Sequence, residues 1–323
     1  MRNECRLFHS GIYEFWKSVP NTTILTTASD GLKSTLFLRI FAPMETSGSS
    51  EKSLRLNTGT VRKILVDFIR DEVTNAGFGK AVVGLSGGVD SSLVACLASE
   101  ALGKKNVVGV IMPYKTSSPD SLTDARAVAT MLDIRSEAVD ITPMVDAYVS
   151  GLAAVDNVRK GNICARQRMI VLYDISSRES GLVIGTSNKT EILLGYGTLF
   201  GDTACAINPL GDLYKTQVWQ LAEAMGVPEN IVAKKPSADL WTGQTDEGEL
   251  GFSYKLVDRL LYAMVDEQRS PDDLHELGFE KNFVIKVQNL VRRNQFKRRP
   301  PLIAKISHRT VNVDFRYARD WGT

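Results

Sequence analysis

Cysteine is scarce here and never paired: Cys5, Cys96, Cys164 and Cys205 stand far apart, with no CxxC. That spacing excludes a disulfide framework or a thiolate clip, and suits reduced thiols in a cytoplasmic protein. Histidine is scarcer still; His9, His275 and His308 are too dispersed for zinc-ligand spacing. An excess of either charge is also missing, since 39 Lys+Arg against 37 Asp+Glu leave +2. No global basic field therefore argues for nucleic acid. No apolar run is long enough to span a bilayer, so no membrane association is expected. What is present, 43% hydrophobic residues in 323, suffices for one large or two modest cores.

Residues 1–57 read as a leader or extension, poorly ordered, ahead of one domain over 58–323. "NTTILTTASDGLKSTLFLRIFAP" holds strand-like fragments without a consistent period, and "METSGSSEKS" is a polar Gly/Ser linker. A secretory signal would need a charged start and a clean apolar stretch, which are missing. A transit peptide is the weaker reading, because Glu4, Glu14 and Asp30 sit within the stretch, and an internal start at Met44 is the alternative.

Clear periods begin at Thr60. Val61, Ile64, Leu65, Phe68, Ile69 and Val73 share one helical face, and "NAGFG" stops that helix. "AVVGL" (81–85), "VVGVIMP" (107–113), "SEAVDI" (136–141) and "GLVIGT" (181–186) read as strands, the second of them buried, separated by helices. Ser118 is the expected N-cap of one of these, with Pro119 at its first position. The alternation predicts an α/β fold, a doubly wound Rossmann-like parallel sheet with helices on both faces. Beyond Leu210 the pattern is mainly helical, an addition around the same core.

The stretch "KAVVGLSGGVDSSLVACLASE" (80–100) places two glycines and a carboxylate between a strand and a helix. Gly87 and Gly88 could be an ordinary turn with positive φ. Bare backbone N–H groups at a helix start also make an anion cradle, to which Ser86, Ser91 and Ser92 could add hydroxyls. Asp90 is out of place beside bare phosphate unless a divalent cation lies between them. Phosphate with Mg²⁺ explains both halves. No lysine follows the glycines, so this is not the GxxxxGK[ST] loop.

The loop resembles the SGGxDS pyrophosphate loop of the N-type ATP pyrophosphatases, which cleave ATP between its α- and β-phosphates. "GNICARQRMIVLYDISSRESGLVIGTSNKTEILLGYGTLFGD", "INPLGDLYKTQVWQLAEAMGVPE" and "KKPSADLWTGQTDEGELGFSY" are similar, in that order, to the NAD synthetase family. The resemblance covers about Val61 to the C-terminus. It implies ATP-dependent amidation of deamido-NAD to NAD, through an adenylated nicotinate carboxylate with release of AMP and pyrophosphate. The leader is far too short for the amidase domain of glutamine-dependent members, so ammonia is the expected nitrogen donor. Another pyrophosphatase-type ligase or a tRNA-modifying enzyme is the alternative; it calls for an RNA-binding appendage or reactive cysteines.

The resemblance also implies roles. Gly84, Leu85, Ser86, Gly87, Gly88, Val89, Asp90 and Ser91 would hold ATP, with Thr186, Lys215 and Ser237. Asp90 and Glu191 would be the Mg²⁺ carboxylates, and Lys215 a point charge on phosphate. Arg166 and Lys297 would contact deamido-NAD. Asp202 would orient ammonia or the nicotinate end, or simply cap a loop. Leu199, Ala206 and Phe296 depart from residues seen in relatives and bear on the deamido-NAD site. The run Arg292, Arg293, Lys297, Arg298 and Arg299 is a solvated face, a substrate-phosphate lid or a nucleic-acid contact. A homodimer is expected, through helices near 145–173.

Overall fold

In the computed structural model, residues 54–239, 241, 243–311 and 314 are described. Most of the leader, residues 1–53, lies outside them. The order of elements is α1 (Thr58–Asn75), β1 (Lys80–Gly84), α2 (Val89–Leu102), β2 (Val107–Ile111), α3 (Pro119–Met131), β3 (Arg135–Ala138), α4 (Thr142–Val149), α5 (Asn157–Glu179) and β4 (Gly181–Ile184). There follow α6 (Lys189–Leu194), α7 (Lys215–Ala224), α8 (Glu229–Val232), α9 (Asp246–Leu250), α10 (Tyr254–Leu261), α11 (Pro271–Glu276) and α12 (Lys281–Arg293).

The four strands form one parallel sheet in the order β3-β2-β1-β4. In register, Val82 lies beside Val108 on one side and Val183 on the other. Alternation along β1 divides the core between the two faces. Ala81 and Val83 meet Leu93, Leu97 and the α1 and α7 side chains, whereas Val82 meets Ile141, Val145, Val171 and Ile175 of the α4–α5 side. Helices thus cover both faces, as the strand–helix alternation predicts. Most of α2 is buried, because the helix is held between the sheet and α1 and α7. Such a helix carries apolar residues nearly all round.

β1 and β4 are neighbours, but the chain leaves β1 toward β2 and reaches β4 only through α4 and α5. The boundary between β1 and β4 is therefore the place where the winding reverses and a crevice opens at the carboxyl ends of the strands. The 85–88 turn and the 185–188 turn both emerge there. A parallel bridge between Ile184 and Ile207 extends the sheet beyond β4. Gly185 donates to the Ile207 carbonyl at 2.8 Å and Ala206 to that of Val183 at 2.9 Å. "INPL" carries no strand period, so this addition is not visible in the sequence.

The helical addition has its own core: Leu194, Tyr214, Phe252, Tyr254, Val257, Leu260, Leu261, Leu274 and Val287 pack together against α6 and α7. Leu54 joins that core. The Gln220 side chain grips both the Leu56 N–H, at 2.9 Å, and the Leu54 carbonyl, at 3.0 Å. Leu54 and Leu56 are thus fastened to the packed body.

Candidate active site

The 85–88 turn is shaped by one left-handed residue. Gly87 has φ +76°, whereas Gly88 is extended at φ −97°, ψ 164° and serves as the N-cap of α2. The expectation of positive φ at both glycines is corrected here: only Gly87 needs it. Gly88 ends the turn, so its backbone is already close to strand geometry. A Cβ on Gly87 would lie 2.2 Å from the Ser121 carbonyl oxygen at the start of α3. Two close backbones leave no room for a side chain.

The serines divide their work. Ser86 Oγ lies 3.0 Å from Ser91 Oγ and accepts from the Gly88 N–H at 3.3 Å. Ser91 and Ser92 are buried and donate to the Gly88 carbonyl at 3.1 and 2.8 Å. Ser92 thus braces the first turn of α2 from within and does not line the cavity, unlike Ser86 and Ser91.

Asp90 sits in the first turn of α2 and meets two residues from across the crevice. The Lys215 ammonium donates to Asp90 Oδ2 at 2.5 Å and to Glu191 Oε1 at 3.2 Å. Asn188 donates from its side-chain amide to Asp90 Oδ1 at 2.9 Å and from its backbone to Glu191 Oε2 at 3.3 Å. Asn188 and Glu191 form a capping box that starts α6. Asn188 was not singled out from the sequence, although Asn followed three residues later by Glu is the signature of that box. Both carboxylates are thus turned to one point by partners that leave lone pairs free on each oxygen.

The electrostatics follow from burial. Lys215 is 3% exposed; its two carboxylate partners are 17% and 16% exposed. Burial alone would drive the Lys215 ammonium down, but the charges of Asp90 and Glu191 outweigh it and hold it above its ordinary range. Burial pushes the Glu191 carboxyl up from 4.5 to about 7, opposed by Lys215 and reinforced by Asp90. A carboxyl raised on folding binds more protons folded than unfolded, so its contribution to stability declines as pH rises from 4.5 toward about 7. Thermal denaturation across this window should show the decline in the wild type and its loss in Glu191→Gln. Ligands that need the ionised carboxylate should bind more tightly above about pH 7 than below it.

A cavity of about 720 Å³ opens over this cluster, within the range of about 300–1,000 Å³ common for small-molecule sites. Gly84 through Ser91, Thr186, Glu191, Asp202, Lys215, Ser237 and Lys297 all line it. Ser237 Oγ donates to the Gln244 carbonyl at 2.8 Å and accepts from the Asp239 N–H at 3.1 Å, shaping its own loop. Asp202 does cap a loop, accepting from the Thr198 N–H at 2.8 Å, while also facing the cavity. Surrounding protein pushes its carboxyl above the usual range. Lys297 donates to the Gly195 and Gly197 carbonyls at 2.7 and 2.8 Å. Arg298 donates to those of Ile192, Leu193 and Val291. Part of the basic run is therefore spent on carbonyls at the end of α6, the helix that carries Glu191.

Arg166 lies apart. It is exposed, bonds the Leu199 carbonyl at 3.3 Å, and is not among the cavity residues. Arg168, two positions on, lines the cavity and donates to the Met112 carbonyl at 3.0 Å. Neither Leu199, Ala206 nor Phe296 lines the cavity of the single chain. Sequence reasoning also passed over Tyr196, whose hydroxyl lies 3.0 Å from Asp246 and 2.7 Å from Glu249 at the cavity wall.

Two carboxylates of separate elements converging beside a glycine turn suit Mg²⁺, which takes one or two protein oxygens and the rest from phosphate and water. Among the described residues no group of three or more potential ligands gathers, as a metal site closed by protein alone would need.

Residues 61–301 match the NAD synthase family. The chain belongs to that family. It is 56% identical over 269 residues to an NH(3)-dependent NAD(+) synthetase of Trichlorobacter lovleyi, covering 83% of this chain and 98% of the relative. Similar solved structures include an NH3-dependent NAD synthetase from Campylobacter jejuni (TM-score 0.67, 35% identity, 77% of this chain and 100% of that one). Another is an NMN synthetase from Francisella tularensis (TM-score 0.70, 33% identity, 77% and 99%). The cavity lies at the β1/β4 boundary, the place where open α/β sheets take their ligands. No helix among the described residues is long and apolar enough to cross a membrane.

Proposed function

We infer that this chain catalyses the ATP-dependent amidation of deamido-NAD to NAD with ammonia. The observation that carries the reading is the convergence of Asp90, Glu191 and Lys215 beside the 85–88 turn. The nicotinate carboxylate attacks the α-phosphorus of ATP, releasing pyrophosphate and leaving an acyl adenylate. Ammonia then attacks the acyl carbon and expels AMP. A carboxylate alone would have to expel oxide, so adenylation supplies the leaving group.

The protein's part is positioning and charge neutralisation. The Gly87 N–H and the Ser86 hydroxyl of the turn receive phosphate oxygens, and Lys215 supplies a point charge. Asp90 and Glu191 would hold Mg²⁺, which neutralises phosphate charge when bound. Thr186 and Ser237 border the nucleotide. Asp202, near the mouth of the Thr198 loop, orients ammonia or the nicotinate end. Lys297 and Arg166 serve deamido-NAD, Arg166 from outside the single-chain cavity.

A homodimer accompanies this reading. Met144 and Tyr148 of α4, with Val158, Ile170 and Tyr173 of α5, are exposed. Apolar side chains gathered on two neighbouring helices support an interface there. Tyr148→Asp should shift sedimentation from dimer to monomer; an unchanged sedimentation coefficient places the interface elsewhere. The expected setting is the cytoplasm, with no nucleic acid among the partners.

The decisive assay supplies deamido-NAD, ATP and Mg²⁺ with either ammonium or glutamine and measures NAD. NAD should form with ammonium and not with glutamine alone. A parallel reaction with the mononucleotide acid separates this reading from the activity named for the Francisella tularensis structure; preference for the shorter acceptor would overturn it.

A further inference from the structure

Asp258 lies on α10, in the helical addition, and is fully buried. It touches no cavity residue's functional atoms directly, yet every partner it has sits at the start of a helix that carries one. Its Oδ1 accepts from Thr190 Oγ1 at 2.6 Å, next to Glu191 on α6. Its Oδ2 accepts from both the backbone N–H and the hydroxyl of Thr216 at 2.8 Å, next to Lys215 on α7. The Thr190 hydroxyl, with its hydrogen directed to Asp258, turns a lone pair to the Lys215 N–H at 3.0 Å. One carboxylate therefore locks the residue after Lys215, the residue before Glu191 and the hydrogen bond between those two helix starts.

A second carboxylate from the same region repeats the grip. Asp266 accepts from Lys189 Nζ at 2.8 Å and from the Tyr214 hydroxyl, the residues one step further out on each helix. The Lys189 N–H also donates to the Leu213 carbonyl at 2.8 Å. Burying a carboxylate is expensive unless it is fully hydrogen-bonded, and hydrophobic contact alone would join α10 to α6 and α7 at lower cost. What the carboxylate adds is direction: three donors at set distances fix two helix starts relative to each other.

We propose that Asp258 is a positioning residue for the adenylation site, holding Glu191 and Lys215 in mutual register. It works through Thr190 and Thr216, so the C-terminal helical addition sets catalytic geometry as well as completing the core. The inference rests on the proposed roles of Glu191 and Lys215, although one readout below does not depend on the acceptor.

Asp258→Asn conserves shape but turns an amide NH₂ toward donors on one of its two sides, so one helix start is released. Displacements near an ångström at catalytic groups can cost about 100-fold in rate. Asp258→Asn should therefore weaken Mg–ATP binding, measured by calorimetry, and lower kcat by about 10- to 100-fold, with KM for deamido-NAD unchanged. Thr190→Val should behave in the same way and Thr190→Ser should restore both values. Val257→Ala, a neighbouring core truncation, serves as the stability control: its Tm should fall at least as far while ATP affinity and kcat hold. Unchanged ATP affinity and kcat in folded Asp258→Asn would overturn the proposal, as would equal losses in Val257→Ala. If Asp258→Asn does not fold, the Thr190 pair decides alone. Should the wild type bind ATP yet make no NAD, the acceptor assignment fails, and the ATP affinities still decide the role of Asp258.

Discussion

Lys215→Met should lower kcat for NAD formation by about 100- to 1,000-fold and at the same time destabilise the free protein. The catalytic loss follows from removing the buried ammonium that bridges Asp90 and Glu191 at the proposed phosphate site; loss of a single preorganised charge partner costs about 100- to 1,000-fold in kcat. The stability loss follows from what is left behind. Asp90 and Glu191, both mostly buried, would keep their positions without the cation that lies between them. Breaking a buried pair by removing one partner costs about 3–5 kcal/mol. The sign of its pH dependence is set by Glu191, whose carboxyl is already raised by burial and would lose the opposing effect of Lys215. A carboxyl raised further in the folded state takes up a proton as pH falls, removing one of the two facing charges. The deficit relative to wild type should therefore be largest at alkaline pH, shrink as pH falls toward about 7 and level off below it. Urea denaturation of both proteins at several pH values checks this; a deficit that grows on acidification would contradict the arrangement of charges described here.

Gly87→Ala should be the second severe substitution, and Gly88→Ala its informative contrast. At Gly87 an L residue in the left-handed region costs about 1–2 kcal/mol. The new methyl would also stand 2.2 Å from the Ser121 carbonyl oxygen, so either the turn or the start of α3 must move. A shift of that size in the N–H cradle should weaken ATP binding by about 100-fold. Gly88 has ordinary extended angles, and a methyl there would approach only Ser86 Oγ, at 3.3 Å. Gly88→Ala should keep a near-wild-type Tm, and any loss should fall on nucleotide affinity alone. Calorimetric ATP titrations with parallel melting curves separate the two. Equal melting temperatures for both variants would show that the closeness of the turn to α3 has no energetic consequence.

Much of the sheet was legible because buried parallel strands are short apolar runs and the intervening helices carry periodic faces. "VVGVIMP" and "GLVIGT" each contain the observed strand, "AVVGL" overlaps all of β1 but its first residue, Lys80, and Ser118 with Pro119 caps α3 as read. The 207 bridge was not legible, since "INPL" joins the sheet through hydrogen bonds to β4 and not through any period of its own. The glycine turn between strand and helix was legible, but the division of labour between Gly87 and Gly88 depends on where Ser121 comes to lie. Among the site residues, Asp90 and Glu191 were found by motif, whereas Tyr196 and Asp246 carry no local signal. Asp258 did leave a trace: with Tyr254, Val257 and Leu261 it falls on the inner face of an amphipathic helix, where an acid is out of place.

By itself the sequence determined the fold class, the glycine turn between β1 and α2 and the family, because each is written in short contiguous patterns of apolar periodicity, glycine and capping residues. Only the tertiary structure decided which charges meet. Lys215 lies 125 positions from Asp90, and Asp258 lies 68 from Thr190; such pairs form when the β1/β4 crevice closes and α10 packs on α6 and α7. Hydrogen bonds act over about 3 Å in space whatever the distance along the chain, so their partners are settled by packing.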